Sequence, residues 1–568
     1  MDLFGSASDG NWYNGSPMRA IDLYSGVGGW SLGLRMAGIK VVRSFEWWKE
    51  ANTTHNLNFG TDHDEVDIRQ LRLRDLDDLG KIDIVVGSPP CTQFSFSNRG
   101  GSGDIEDGLV DIKKFLDVVA YLSPRYWAME NVPRVAGILS QSLLPGGPLE
   151  RYRKLVKVIE VVDTADFGVP QNRRRMIAGD FPSELFFSYR ENIPRRTLGD
   201  VVESLSADPV VDPVYGFRLA RAKLTDHEHE APLSAEERRL NEESKRYHPV
   251  YNLMQFPDRF DRPSRTVTAT CTRVSRESIV IKDPNTDALR RLTVRERASV
   301  QSFPITYQYF GSSYSNRQKL VGNAVPPLLT YFIASSMRKV SPARAADIPK
   351  SAEKIHPLPI ERPGSVRVDI AGANYPDDRR FRAAIPGLRF GSGVRFELAN
   401  LHKSGKPLWR IGFYFGSSKD VQSVEMTDGL EASLLNGLDE ASRRQASAIL
   451  RNLVEVVPED GAYELQSSWT RKESGVGPFK FIDKVAGAIP RLERILRPVE
   501  PICLELLGST IIRKGVDSVP AKLKANASKI VAGLLAGSRV NSVLADKKGV
   551  EAVPKDHRRQ AEPELIPA

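Results

Sequence analysis

Up to about Arg338 the chain alternates short apolar runs with longer mixed stretches. The runs Ala20–Tyr24, Val41–Glu46, Ile82–Gly87, Tyr126–Glu130 and Met176–Gly179 have the length of buried strands. Stretches between them, such as Trp30–Ala37 and Leu109–Leu122, have the spacing of helices. That alternation predicts an α/β domain on an open, mostly parallel sheet. From Lys339 to Gly364 the composition turns to Pro, Ala, Lys and Ser, as in a linker. Beyond it Ser365–Ile370, Val394–Leu398, Leu408–Phe415 and Val421–Met426 read as strands, the middle two joined by a turn at Ser404–Pro407. Helices are expected near Leu438–Val456, Phe479–Leu496 and Ala521–Leu535. This part is expected to form a separate α+β domain, and the charged end from Ala545 has the composition of a disordered tail.

Composition narrows the partners. A formal charge of +9 suits a polyanion. No apolar run approaches the ~20 residues of a membrane helix, and the polar segment Met1–Pro17 lacks the layout of a secretory signal. Cys91, Cys271 and Cys503 are too scattered for a disulfide framework, which fits a reducing, cytoplasmic setting.

Five segments carry candidate chemistry. The first, Asp22-Leu-Tyr-Ser-Gly-Val-Gly-Gly29, follows a strand and opens a helix; its glycines let the backbone turn tightly and approach a ligand. The next strand ends in Glu46-Trp47, a carboxylate placed to hold a ribose beside an aromatic able to stack on a purine. Asp67, in the polar stretch before the third strand, can meet an adenine amino group. The second segment, Ser88-Pro-Pro-Cys-Thr-Gln-Phe-Ser95, puts Cys91 in a polar loop at the carboxyl end of a strand, where open sheets bind ligands. The third, Trp127-Ala-Met-Glu130-Asn-Val-Pro133, ends an apolar strand on a carboxylate. In the fourth, Gly168-Val-Pro-Gln171-Asn-Arg173-Arg-Arg175, strand alternation places Arg173 and Arg175 on one face. The fifth pairs Arg291–Pro304, with Thr293 and Glu296 spaced as a capping box, with Val321-Gly-Asn323-Ala-Val-Pro-Pro327. Each alone has an ordinary reading: a turn, a solvated carboxylate, a small buried cysteine or a basic edge.

In this order and spacing, over roughly Ala20–Met337, the segments resemble the DNA cytosine-5 methyltransferases of bacterial restriction-modification systems. The resemblance implies a Rossmann-like class I fold and S-adenosyl-L-methionine as methyl donor, without a metal. It implies catalytic roles for Cys91 as covalent nucleophile and for Glu130, Arg173 and Arg175 around a flipped cytosine. Tyr24, Gly26, Gly28, Glu46, Trp47, Asp67, Pro89, Asn323 and Val325 would line the cofactor pocket. The loop Phe94–Gly103 would cover the flipped base, and Gln93 and Ser95 would touch DNA. Two departures stand out: Thr92-Gln93 where the family has Gln-Gly or Gln-Ala, and Tyr24 where it has Phe.

The expected layout is a catalytic domain over 18–203 and 261–338, with a target-recognition region between them at 204–260. A linker at 339–364, an accessory α+β domain at 365–544 and a tail at 545–568 complete it. Arg238, Arg239 and Arg246 in the recognition region are expected to contact phosphates. His227, His229 and His248, with no companion cysteine nearby, are not expected to bind metal. The expected partner is double-stranded DNA, with a cognate endonuclease encoded separately; the protein is expected to be a cytoplasmic, nucleoid-associated monomer. An RNA cytosine-5 methyltransferase and a non-catalytic DNA-binding regulator are the alternatives.

Overall fold

A computed structural model describes residues 17–90, 94, 105–224, 230–246, 254–348, 375–390, 394–403, 405–417, 420–424, 428–471, 477–512 and 519–546. The chain divides into two compact units: Met1–Pro232 with Pro257–Arg273 and Glu277–Val368, and Leu233–Phe256 with Val274–Arg276 and Asp369–Ala568.

The first unit is built on six strands: β1 (Arg19–Leu23), β2 (Lys40–Phe45), β3 (Ile84–Gly87), β4 (Tyr126–Asn131), β5 (Val158–Asp163) and β6 (Arg174–Asp180), in the order β2-β1-β3-β4-β6-β5. The pairs β1–β2, β1–β3 and β3–β4 are parallel. β6 runs antiparallel to both β4 and β5, so five of the six strands share one direction and the sheet is mostly parallel, as expected, with one reversed strand. β3 is buried throughout, which its unbroken apolar run dictates. β5 is an edge strand, mostly half-buried, and its weak apolar signal hides it in the sequence. The helix Gly29–Met36 packs on the helix Pro327–Met337, every residue of which is buried. Close approach is possible because Gly33 has no side chain: a Cβ there would lie 2.1 Å from Thr330 Oγ1.

The second unit carries an antiparallel four-stranded sheet of Arg382–Arg389, Arg395–Lys403, Lys406–Ser417 and Asp420–Val424, in that order. Helices including Glu440–Val456, Phe479–Leu496 and Ala527–Asp546 share its apolar core. The aromatic residues Trp409, Phe413 and Phe415 are core residues. The first expected strand, Ser365–Ile370, lies outside the described residues.

The expected 204–260 recognition region does not hold together as one piece. The helix Ala235–Arg246 belongs to the second unit. Its sequence is almost wholly polar, yet Glu236, Asn241 and Lys245 are buried. Ion pairs anchor it where apolar contacts usually would: Glu236 with Arg379 at 3.2 Å, Glu243 with Arg389 at 2.9 Å and Arg239 with Asp483 at 2.7 Å. Apolar periodicity cannot reveal such an anchor.

Candidate functional site

At the end of β1 the chain turns sharply. Tyr24 has φ +53° and Gly26 +54°, and Gly28, at +93°, precedes the helix Gly29–Met36. A Cβ on Gly26 would meet nothing within 4 Å, so this backbone faces open space. Gly28 and Gly29 are required by packing: a Cβ on Gly28 would lie 2.5 Å from Phe59 Cε2, and one on Gly29 would lie 2.1 Å from the Val325 carbonyl. Glu46, buried just after β2, accepts hydrogen bonds from the backbone N–H of Gly26 and of Trp48, both at 2.8 Å. Burial pushes its carboxyl upward, and the amide donors oppose that rise. Next to it the Trp47 side chain is 63% exposed, an unusual position for an indole.

Asp67 is exposed and caps a short helical turn, accepting from Arg69 N at 3.0 Å and Gln70 Nε2 at 2.9 Å. Arg69 binds Asp111 through Nη2 at 2.7 Å and Nε at 2.9 Å, and Asp107 at 2.8 Å. Asp111 also meets the Tyr24 hydroxyl at 3.3 Å. Burial, with the Asp111 carboxylate adding to it, pushes the Tyr24 phenol upward. Asn323 is exposed at the end of the helix Tyr314–Asn323, while Val325 is buried. The open turn at Gly26, the amide-anchored carboxylate and the exposed indole all lie at the carboxyl ends of β1 and β2, the end of an open sheet where ligands bind.

Below this turn Asp22 is fully buried, and its Oδ2 accepts from Ser31 N at 3.1 Å and Ser31 Oγ at 2.7 Å. Burial lifts its carboxyl to about 7. Ser31 Oγ lies 3.0 Å from Nε2 of His55, whose burial lowers it to about 3. The sequence pattern gave no sign of this polar pair, because the two residues meet only through Ser31.

The loop after β3 is held on three sides. Ser88 N–H donates to the Leu23 carbonyl at 3.2 Å, Trp30 Nε1 to Ser88 Oγ at 3.1 Å, and Asn131 Nδ2 to the Pro89 carbonyl at 3.1 Å. Asn131 and Trp30 hold this loop, and neither is among the candidate residues that the sequence motifs single out. Cys91, Gln93 and Ser95 lie outside the described residues. Phe94, expected to open the covering loop, is wholly buried against Gly108, where a Cβ would lie 2.4 Å from its ring. It is an anchor, fixed by apolar burial.

Glu130, one residue before the end of β4, is 7% exposed, and Arg175 Nε meets its Oε1 at 2.8 Å. Antiparallel pairing of β4 with β6 brings the two together. Arg173 goes elsewhere, contrary to the expectation that it joins Arg175. It is buried and donates to the carbonyls of Val267 at 2.9 Å and of Gly322 and Ala324, both at 3.1 Å. Gln171 Oε1 accepts from Val267 N at 2.8 Å beside it. The Gln-x-Arg-x-Arg run thus divides its work: two side chains stitch the fold and one meets the carboxylate.

Thr293 and Glu296 form the expected capping box, and Glu296 also holds Arg290 through two bonds of 2.8 Å. Of the expected phosphate contacts, Arg238 is exposed; Arg246 is exposed but paired with Glu242 at 2.8 Å. Arg239 is corrected to a structural role, bound to Asp483 and Glu243 and lying over the Phe479 ring. Among the described residues no group of three or more His, Cys, Asp or Glu side chains is arranged to hold a metal ion. His227, His229 and His248 lie outside the described residues.

Comparison with known proteins adds three findings. Residues 18–339 match the family described as C-5 cytosine-specific DNA methylase. The chain is 30% identical over 347 residues to the type II methyltransferase M1.HphI of Haemophilus parahaemolyticus, covering 56% of this chain and 87% of that one. It is 28% identical over 328 residues to the type II methyltransferase M.HgiDI of Herpetosiphon aurantiacus, covering 56% of this chain and 94% of that one.

Proposed function

The chain belongs to the C-5 cytosine-specific DNA methylase family and has DNA cytosine-5 methyltransferase activity, and on that premise we propose that Cys91 attacks a flipped cytosine while Glu130 and Arg175 manage the charge on the ring. S-adenosylmethionine, when bound, supplies an electrophilic methyl group. The Gly26 turn, Glu46, Trp47, Asp67 and Asn323 would hold it.

Cytosine C5 is a poor nucleophile while the ring is aromatic. Addition of the Cys91 thiolate to C6 makes C5 enamine-like and able to accept the methyl carbon. Negative charge builds on N3 as the thiolate adds, and a proton held by Glu130 at N3 removes it. Arg175 orients that carboxyl and donates to the base carbonyl. Loss of the C5 proton to a base then expels the thiolate and restores the ring. The base must leave the helix stack for this, at a cost of a few kcal/mol. The one observation that carries this reading is the ion pair of buried Glu130 with half-buried Arg175, beside the clipped Pro89 loop that leads into Cys91.

A duplex with 5-fluorocytosine at the target tests it. Fluorine cannot leave C5 as a proton does, so the thioether should persist as a denaturant-resistant protein–DNA complex. Formation of that complex by a Cys91→Ser variant would contradict the assignment.

The relatives' designation as type II methyltransferases supports a protective role beside a separately encoded endonuclease. Expression with and without a candidate endonuclease, scored by host survival, tests that part.

A further inference from the structure

The hairpin of Arg395–Lys403 and Lys406–Ser417 is anchored at its base and exposed on one face of its tip. Trp409 Nε1 and Asn400 Nδ2 both donate to Gln466 Oε1, at 3.1 and 2.7 Å. Asn541 closes the other side, accepting from Ile411 N at 2.7 Å and donating to its carbonyl at 2.9 Å. The neighbouring strand Arg382–Arg389 pairs no further toward the tip than Ala399. The strand Asp420–Val424 pairs only with Phe413–Ser417, at the far end. Among the described residues the three pairs Leu401↔Leu408, His402↔Pro407 and Lys403↔Lys406 have no strand on either side; Pro407 is buried and His402 half-buried, so one face of this ribbon is covered and the other carries Leu401, Lys403 and Lys406.

At ~3.3 Å per residue the ribbon projects roughly 10 Å beyond the sheet. Lys403 and Lys406 are exposed, and Leu401 is 49% exposed. From Leu398 to Ser417 the sequence has no Asp or Glu, while it holds His402, Lys403, Lys406 and Arg410. A rigid base whose open tip face is basic loses little conformational freedom when that face binds a polyanion.

We propose that the open face of this hairpin tip lies against the duplex DNA substrate and contacts its phosphates through Lys403 and Lys406, so that the C-terminal region takes part in holding the target. The proposal rests on the assignment of duplex DNA as substrate. Its competitor is that the lysines only blunt a free sheet edge against pairing with a second copy.

The test compares three full-length proteins: wild type, Lys403→Gln/Lys406→Gln, and Arg491→Gln/Arg494→Gln, which removes the same charge from an exposed helix face of the same unit. Affinity for a duplex carrying the methylated site is measured between roughly 50 and 200 mM salt, where log K falls linearly with log salt. The hairpin variant should lose about two units of the slope of log K against log salt, with its melting midpoint and cofactor KM unchanged. An unchanged slope would overturn the proposal, as would an equal loss in the helix variant. A shift from dimer to monomer on sedimentation, without loss of DNA affinity, would overturn it in favour of the edge reading. Absence of DNA methylation by the wild type would instead overturn the substrate assignment, and this proposal with it.

Discussion

Arg175 Nε lies 2.8 Å from Glu130 Oε1, while Arg173, two residues earlier, is bound to three backbone carbonyls. Adjacent members of one motif thus do unlike work, and conservative substitution should separate them. Arg175→Lys keeps a charge near Glu130 but loses the planar guanidinium. It should lower kcat by about 10²-fold, the scale of losing one transition-state donor, with little change in melting midpoint. Arg173→Lys cannot serve three carbonyls and should cost about 2–3 kcal/mol of stability, with kcat of the folded fraction near wild type. Steady-state kinetics beside denaturant unfolding checks both; equal kcat losses would refute the division.

Trp47 is exposed and packs little, so its removal should leave stability nearly unchanged. If it stacks on adenine, Trp47→Ala should weaken cofactor binding by about 1–3 kcal/mol, the scale of base–aromatic stacking. Isothermal titration with S-adenosylhomocysteine reads this directly, and unaltered affinity would remove Trp47 from the pocket.

The glycines of the first turn should fail in different ways. A Cβ on Gly29 would lie 2.1 Å from the Val325 carbonyl, so Gly29→Ala should destabilise by about 1–3 kcal/mol through overpacking. Gly26 has room for a Cβ but sits at φ +54°, so Gly26→Ala should cost about 1 kcal/mol of backbone strain and raise the cofactor KM. Thermal melts with and without cofactor product distinguish the two.

Asp22 and His55 should oppose one another in their pH dependence. Burial lifts Asp22 from 3.8 to about 7, so the folded chain keeps a proton there that the unfolded chain has lost. Its contribution to stability is full below pH 3.8 and declines as pH rises to about 7. Burial lowers His55 from 6.5 to about 3, so the unfolded chain takes that proton first and stability falls as pH drops through this window. Between about pH 4 and 6.5 the two slopes cancel. Asp22→Asn leaves His55 unopposed, and the variant should lose up to about 1.4 kcal/mol more than wild type per unit of acidification. Urea unfolding at pH 4.5, 5.5 and 6.5 in constant salt measures it, and parallel slopes for the two proteins would contradict the account.

The sequence made the apolar scaffold legible and the polar contacts much less so. β1 to β4 and β6 are apolar runs, and the helix Phe479–Leu496 follows its periodicity from end to end. The edge strand β5, the strand Arg382–Arg389 and the helices Ala462–Thr470 and Glu500–Ile512 were not anticipated. Near Ala521 one expected helix is two, Ala521–Lys524 and Ala527–Asp546. Arginine alternation marked the Arg173–Arg175 segment, but not its roles, because the carbonyls that hold Arg173 come from 94 to 151 residues away. The charged helix Ala235–Arg246 reads as part of the recognition region for the same reason: its partners Arg379, Arg389 and Asp483 lie more than a hundred residues along the chain.

The central claim is methyl transfer to cytosine C5 in DNA through Cys91. Base-level bisulfite sequencing of DNA from cells expressing the wild type or Cys91→Ala tests it most directly. The account predicts 5-methylcytosine at one short recurrent sequence with the wild type and none with the variant. Equal methylation by Cys91→Ala would contradict it, as would an unmethylated genome in cells holding the folded, cofactor-binding wild type.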